Sequence, residues 1–421
     1  MNHTYFHIDV NSAFLSWEAV YRLKCLGEKV DIREQVSAIG GDIEKRHGII
    51  LAKSIPAKKY HIKTGESIIE AKQKCPQLLL YPPDYNLYEK CSYAFFKLLK
   101  EYTDHIEQYS IDEFFVDVTD ILHQYSSAED LAFEIKDRVK TELGFTVNVG
   151  ISTNKLLAKQ ASDFQKPDRV HHLYPNEIQE KLWPLSSSDL FGVGHATKKK
   201  LDKLELFTIG DIATADTGLL MQHLKSYGLV IWQRANGIDE SFVVYDAPFN
   251  KGYGNSTTTP FDVVNLQQAS LILLGLAESV GMRVRRDEME IRVVNVSVRY
   301  QESLIWASRQ KTLKESTDIT DEIYHAALEL LPFIWDGKTP LRQLGIHTSG
   351  AQRKDGFFQL SFLGTNRKDK LREADKMADH IRQRYGKRVF MRASFLLDPR
   401  VDPLSGGISD EKRGRVVSSN L

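Results

Sequence analysis

The stretch Gln108–Asp120, QYSIDEFFVDVTD, sets an apolar strand pattern against its own acids. Ile111, Phe114, Val116 and Val118 ask for burial, yet Asp112 and Glu113 stand side by side among them, with Asp117 and Asp120 close behind. Successive strand residues point to opposite faces, so adjacent carboxylates can meet at one point only where the strand turns, bulges or ends. The pattern predicts a hairpin tip or a bulge at these two acids.

A third acid lies far upstream. YFHIDV (residues 5–10) reads as a short buried strand with Asp9 near its end, and NSAFLSWEAVYRLKCLG continues with apolar residues spaced by three and four, a helix. A sheet joining the two strands would bring Asp9, Asp112 and Glu113 together. Such a cluster is repulsive without a cation. Hard divalent ions such as Mg²⁺ take oxygen ligands and keep positions open for phosphate oxygens, so three acids are what a protein would contribute to a two-metal phosphoryl-transfer centre. An isolated Asp-Glu pair beside a strand is more often a solvated turn, so this reading depends on the joining sheet.

The bulk properties admit several domains. The chain has 421 residues, 42% of them hydrophobic, room for roughly three domains of ordinary size. Lys plus Arg and Asp plus Glu number 56 each, so net charge names no partner, but residues 251–400 hold 24 basic against 18 acidic residues. Three cysteines without a CxxC pair argue against a disulfide framework or a zinc site. MNHTYFHIDV has no signal-peptide pattern and no apolar run approaches a membrane span, LILLGLA being the nearest, so a soluble cytoplasmic protein is expected.

Elements alternate along the chain. GIILAKSIPAKKYHIKTGESIIEAKQKCPQL reads as a strand, a basic turn and a helix stopped at Cys75-Pro76, a small α/β insert. YNLYEKCSYAFFKLLK is an amphipathic helix leading to the acidic strand, and AEDLAFEIKDRVKTELGFTVNVGIS repeats the helix-then-strand order in a mixed sheet. Residues 173–245 carry short helical patterns. From Gly252 a new mixed pattern begins, with strands at IRVVNVSVRY, LIWASRQKTL and GFFQLSFLG and a helix in TDEIYHAALELL; the polar tail is expected to be disordered.

Three motifs, HIDVNSAF, SIDEFFVDVTD and VGISTNKLLAKQASDFQKPD, in this order and spacing, resemble those of the Y-family DNA polymerases, in particular bacterial polymerase IV-like enzymes, and the resemblance runs from about residue 5 to 400. It implies an α+β multidomain right-hand fold: palm from 1–20 and 77–172, fingers 21–76, helical thumb 173–245, little finger 252–400, tail 401–421. It further implies template-directed, low-fidelity translesion synthesis without proofreading, with primer-template DNA and deoxynucleoside triphosphates as substrates. Asp9, Asp112 and Glu113 would hold two Mg²⁺ ions, with the Val10 carbonyl as a further ligand. Phe14 falls at the steric gate that excludes a 2′-hydroxyl, though beside Leu15 and Trp17 it also reads as core. Lys58 and Lys166 fall where the family grips the triphosphate. Many relatives read Tyr-x-Ala-Arg where this chain reads Ile55-Pro56-Ala57-Lys58, so a hydroxyl and a guanidinium fork are missing from that grip.

In LFGVGHATKKKL, Gly192-Val193-Gly194 before a helix resembles a helix-hairpin-helix turn, whose amides approach a DNA phosphate, with Lys198 at the head of a lysine run. Arg283, Arg285, Arg286, Arg292 and Arg299 are candidates to track duplex phosphates. Gln359-Leu360-Ser361-Phe362-Leu363 resembles a sliding-clamp docking peptide and reads equally as a strand; Gln359, Leu360 and Phe362 would be its anchors. A monomer without membrane contact is expected. Two alternatives share parts of this pattern: another palm-type phosphotransferase would need the acids but not the thumb turn or basic C-terminal region, and a non-catalytic DNA-binding homologue would need only the latter two.

Overall fold

The computed structural model describes residues 3–41, 48–245, 249–354, 365–386 and 389–401. They form two compact units, one from the described part of Met1–Gly41 and Ile49–Ala247, the other from that of Pro248–Arg413.

In the first unit, β1 (Tyr5–Val10) feeds α1 (Ala13–Lys24) as its apolar spacing predicts. A small sheet follows: β2 (Ser37–Gly40) pairs antiparallel with β3 (Ile50–Lys53) and parallel with β4 (Leu79–Tyr81). Between the last two strands, α2 (Ile55–Lys58) and α3 (Ile68–Lys74) close a core of Ile50, Ile62, Ile68 and Leu78. The Ser67 hydroxyl caps α3 by accepting from the Glu70 amide at 3.1 Å, and the helix ends at Cys75 before Pro76. Because Leu79–Tyr81 pairs with β2, this insert runs on past the boundary at 76 expected from sequence.

The larger sheet is built from β5 (Ile106–Gln108), β6 (Glu113–Asp117), β7 (Val147–Ser152) and β8 (Val170–His172) around β1, in the order β5-β6-β1-β7-β8. Only the β7–β8 pair is parallel, so the sheet is mixed. Its faces differ in kind. Phe6, Ile8, Val10, Phe114, Val116, Val147, Val149 and Ile151 point to one core with residues of α1, α4 (Tyr85–Lys100) and α5 (Ala128–Arg138). The alternate residues, among them His7, Asp9, Glu113, Asn148 and Gly150, face the other way, toward α6 (Lys155–Asp163). Every residue of α6 from Lys155 to Ser162 is buried, since Leu157 and Ala161 also join a helical core with Leu182, Leu201, Ile212, Leu220 and Ile231. That core gathers α7 (His195–Asp202), α8 (Ile209–Thr214), α9 (Thr217–Leu224) and α10 (Ser226–Ala235), the short helices read for 173–245. Gly150 lets α6 lie against β7: a Cβ there would stand 1.9 Å from the Ala158 carbonyl oxygen.

The second unit is an antiparallel sheet with helices packed on one face. Its strands are β9 (Gly254–Val263), β10 (Met289–Tyr300), β11 (Trp306–Thr317) and β12 (Leu341–Ser349), in the order β11-β10-β12-β9, and its helices are α11 (Leu266–Arg286), α12 (Thr320–Leu330) and α13 (Thr365–Tyr385). Val294, Val296, Val298, Leu344 and Ile346 face a core with Leu273, Leu276, Val280 and Ile323. Among the described residues no helix is long and apolar enough to cross a membrane. The GFFQLSFLG strand, the clamp peptide Gln359, Leu360 and Phe362, and the tail from 402 lie outside the described residues.

Candidate active site

The acids meet at the tip of a hairpin. Residues 109–112 connect β5 to β6, with the Tyr109 and Ser110 amides donating to the Glu113 carbonyl at 3.0 and 3.2 Å. Asp112 therefore sits in the turn and Glu113 opens the strand, as the clash between apolar pattern and acids required. Asp9 is the direct cross-strand partner of Glu113, and the Val10 amide donates to the Asp112 carbonyl at 3.1 Å, so β1 holds the turn in register. The Ser110 hydroxyl donates to the Asp112 carboxylate at 2.7 Å.

Burial dominates the electrostatics. It pushes the Asp9 carboxyl up to about 6, with Lys166 working against the rise and Glu113 and Asp112 adding to it. Asp112 is likewise raised by burial, opposed by the Ser110 hydrogen bond and reinforced by Glu113. Two lysines of the α6 region answer this concentration of charge. Lys166 pairs with Asp9 and, at 2.8 Å, with Asp163, while Lys159 donates to Glu113 Oε1 at 2.8 Å. Burial alone would lower Lys166, but Asp9 and Asp163 outweigh it and hold the ammonium above its ordinary range.

Two adjoining clefts open beside Asp9 and Val10. One is lined by Phe14, Lys53, Lys58 and Asp112, the other by Arg33, Lys58 and Lys166, so Asp9, Asp112, Phe14, Lys58 and Lys166 line these two clefts, while Glu113 lines neither. The first measures about 300 Å³, at the low end for a small-molecule site. Phe14 is half-buried: its ring stacks on Tyr88 with centroids 4.6 Å apart and meets Tyr85 edge-on at 6.0 Å, while also lining the cleft. Phe14 thus packs against the core and lines the cleft at once. Between Val10 and α1, Ser12 takes a left-handed conformation (φ 49°, ψ 51°), a strain located in the cleft wall. Lys53 is lowered by its own burial and then by Lys58.

The donors suit a hard divalent cation, being carboxylate oxygens and a backbone carbonyl with no sulfur or imidazole among them. Among the described residues, however, no three His, Cys, Asp or Glu side chains stand assembled to hold a metal ion. In this state Asp9 is paired with the Lys166 ammonium and Glu113 with that of Lys159.

Several residues of the site carried no signal in the sequence. Asn148, fully buried, accepts from the Asn11 amide nitrogen at 3.1 Å and donates to the Ser162 and Gln165 carbonyls at 3.0 and 2.7 Å; Asn11 in turn accepts from the Asp168 amide at 2.9 Å. These two asparagines fasten the loop that carries Lys166. Arg33 reaches the cleft from a bond to Asp31, and Lys159 and His7 stand behind Glu113.

The glycine turn is built for close approach. Gly192 has φ 96°, and a Cβ there would lie 2.1 Å from Arg234 Nη1, which donates instead to the Phe191 carbonyl at 3.0 Å. Gly194 is the N-cap of α7, no side chain caps that end, and a Cβ at Gly194 would meet open space. The first amides of α7 thus lack a partner from a capping side chain. Lys198 pairs with Asp202 one turn further on, away from that end.

The arginines divide. Arg285 has a side chain only 6% exposed, gripping Asp379 through Nε (2.6 Å) and Nη2 (3.0 Å) and Asp375 and the Asp318 carbonyl through Nη1. A phosphate contact for Arg285 is therefore corrected: its charge is enclosed by acids of α13. Arg283 is part-buried on the Gly254 carbonyl at 2.6 Å, and Arg286 pairs with Asp287. Arg299 lies on the sheet face away from the core, over Trp306, beside Asn295, Ser297, Ser308, Gln310 and Gln343 by strand register.

Residues 8–163 match the impB/mucB/samB family and residues 250–362 match that family's C-terminal domain. DNA polymerase IV of Clostridium acetobutylicum is 44% identical over 396 residues, 94% of this chain and 99% of the relative. DNA polymerase IV of Acetivibrio thermocellus is 36% identical over 402 residues, 94% and 98% of the two chains. Among solved structures, a Y-family DNA polymerase chimera superposes with a TM-score of 0.69 at 22% identity, covering 83% of this chain and all of that one. The chain belongs to the impB/mucB/samB family, with the fold of the Y-family DNA polymerases and DNA polymerase IV proteins among its relatives.

Proposed function

We propose that the acid hairpin and its clefts are the active site of a template-directed translesion DNA polymerase. The larger sheet acts as palm, the small sheet with α2 and α3 as fingers, α7 to α10 as thumb, and the second unit as little finger. The observation that carries the reading is the cross-strand pair Asp9–Glu113, with Asp112 tied to Val10, opening on clefts lined by Phe14, Lys58 and Lys166.

Asp9, Asp112, Glu113 and the Val10 carbonyl would hold Mg²⁺, two ions by the family resemblance. Bound there, such ions supply charge stabilisation for the attacking 3′-hydroxyl, the transferring phosphoryl group and the leaving pyrophosphate. The chain's own groups do the rest. Lys166 and Lys58 neutralise triphosphate oxygens, Phe14 packs beneath the sugar, and the Asn11–Asn148 pair keeps the Lys166 loop in place. The amides at Gly194 receive a DNA phosphate, and the polar sheet face with Arg299 lies along the duplex backbone, contacts blind to sequence. Gln359, Leu360 and Phe362 dock on a sliding clamp, and the protein works as a monomer.

Primer extension tests the reading. Asp112→Ala should cut nucleotide addition by at least about 10²-fold, since metal stabilisation is worth several kcal/mol, while duplex binding stays near wild type because affinity comes from phosphate contacts elsewhere. Near-normal extension by that variant would defeat the assignment.

A further inference from the structure

Lys159 stands behind the acids, in no contact with the clefts, and its surroundings leave it little freedom. Its side chain is 8% exposed. The ammonium donates to Glu113 Oε1 at 2.8 Å and to His7 Nε2 at 3.3 Å, and it lies 5.1 and 5.2 Å from the ring centroids of Tyr109 and Phe191. A buried lysine held by two acceptors and two aromatic faces is a fixed charge. It is not a mobile surface group.

The hydrogen bonds around it set one another's direction. The Ser162 hydroxyl donates its single proton to the Lys159 carbonyl at 2.7 Å, so toward His7 it can only accept. His7 Nδ1, 2.8 Å from that hydroxyl, must then carry the proton, which leaves Nε2 with the lone pair that receives the Lys159 ammonium. The chain of bonds leaves the Lys159 backbone, passes through Ser162 and His7, and returns to the Lys159 side chain. It closes on itself. His7 is 1% exposed and Ser162 fully buried, so no solvent competes for these bonds.

We propose that Lys159, aimed by His7 and Ser162, is a positioning residue for Glu113: it fixes Oε1 and so presents Oε2 to the divalent cation of the reaction. Carboxylates that bind metals are themselves held by outer partners, and loss of such a partner costs about 10- to 100-fold in metal affinity or rate. The polar residue two before Asp9, on the same face of β1, thus has a task beyond filling the sheet. The inference rests on the polymerase reading of the site.

The test compares wild type with Lys159→Met, Lys159→Arg and Ser162→Ala. Rapid-quench primer extension gives the maximal rate and the nucleotide dissociation constant separately. Electron paramagnetic resonance titration of Mn²⁺ into the complex with chain-terminated primer and deoxynucleotide gives metal binding without turnover. For Lys159→Met, rate and Mn²⁺ affinity should each fall about 10- to 100-fold, with nucleotide affinity little changed and Lys159→Arg recovering much of both. Ser162→Ala, which leaves the Lys159 ammonium and the Glu113 carboxylate in place but takes the acceptor from the buried His7 Nδ1–H, should lose about three- to tenfold in rate, the worth of one hydrogen bond, with a modest fall in melting temperature and the fold retained. Wild-type rate and Mn²⁺ affinity in Lys159→Met would overturn the proposal, as would a loss confined to nucleotide affinity, which makes Lys159 a triphosphate ligand. Should Lys159→Met fail to fold, Ser162→Ala decides, and an unchanged rate there overturns it. A wild-type protein that extends no primer removes the polymerase reading itself, a separate result.

Discussion

At the scale of single residues, Phe14 is the proposed gate, and its packing bears on that role. Tyr88 lies flat against one face of its ring and Tyr85 meets its edge, so the ring cannot swing away when a nucleotide enters the cleft it lines. A gate must be stiff to discriminate, and in the proposed role the core side would supply that stiffness. Phe14→Ala should raise ribonucleotide use relative to deoxynucleotide at least about tenfold, the order expected when one hydroxyl decides acceptance. Because the ring is only half-buried, the stability cost should be about 2 kcal/mol, below the range for a fully buried phenylalanine. Competing the two nucleotides in one extension assay measures the first, and a melting curve the second; unchanged selectivity would leave Phe14 as core alone. The placement of the acids was legible because adjacent carboxylates in an apolar run reach one point only where the strand turns or ends. Lys159 and His7 were not. A lysine in LLAKQAS reads as the solvated edge of a helix, and the groups that enclose it, His7, Tyr109 and Glu113 far upstream and Phe191 far downstream, leave no mark on the local pattern.

At the scale of elements, the sequence misdirected the arginines. α11 has buried residues on nearly every side, a pattern without the polar face by which a surface helix is recognised, so its final turn looked like a basic patch available to DNA. α13 shows the opposite pattern. Most of its residues are polar or charged, and it attaches through ion pairs: Asp375 and Asp379 to Arg285, Arg372 to Asp318 and Glu290, Arg382 to Glu278. Charge counts report how many arginines there are, not which way they point. Arg285→Ala removes the central cation of an enclosed cluster, leaving Asp379 without its guanidinium and Asp375 with only the longer pair to Arg392 at 3.5 Å. The expected loss is about 3–5 kcal/mol of stability in the second unit. Arg299→Ala, on the open sheet face, should weaken duplex affinity and lower its salt dependence with little change in melting. Measuring denaturation and duplex binding for both variants checks the division, and a DNA-binding defect in a fully stable Arg285→Ala would return that residue to the interface.

At the scale of the whole molecule, a polymerase that grips DNA through phosphates alone dissociates readily, and more so as salt rises. Long products then require a tether. Gln359, Leu360 and Phe362 offer one, since docking peptides of this kind concentrate their binding in a few anchors, a glutamine and apolar side chains set into a pocket. Replacing Gln359 and Phe362 with alanine should weaken clamp-stimulated synthesis on long templates by at least about tenfold, as loss of two anchors at more than 1 kcal/mol each implies. Distributive synthesis on short primers should stay nearly unchanged. The same letters also spell a strand, and that reading makes a different forecast. A core Phe362 truncated to alanine would leave a cavity costing about 3–5 kcal/mol, and all activities would fall together with the melting temperature. Selective loss of clamp stimulation at constant melting temperature identifies a docking peptide, a joint fall identifies a strand, and undiminished stimulation at constant melting temperature removes both roles.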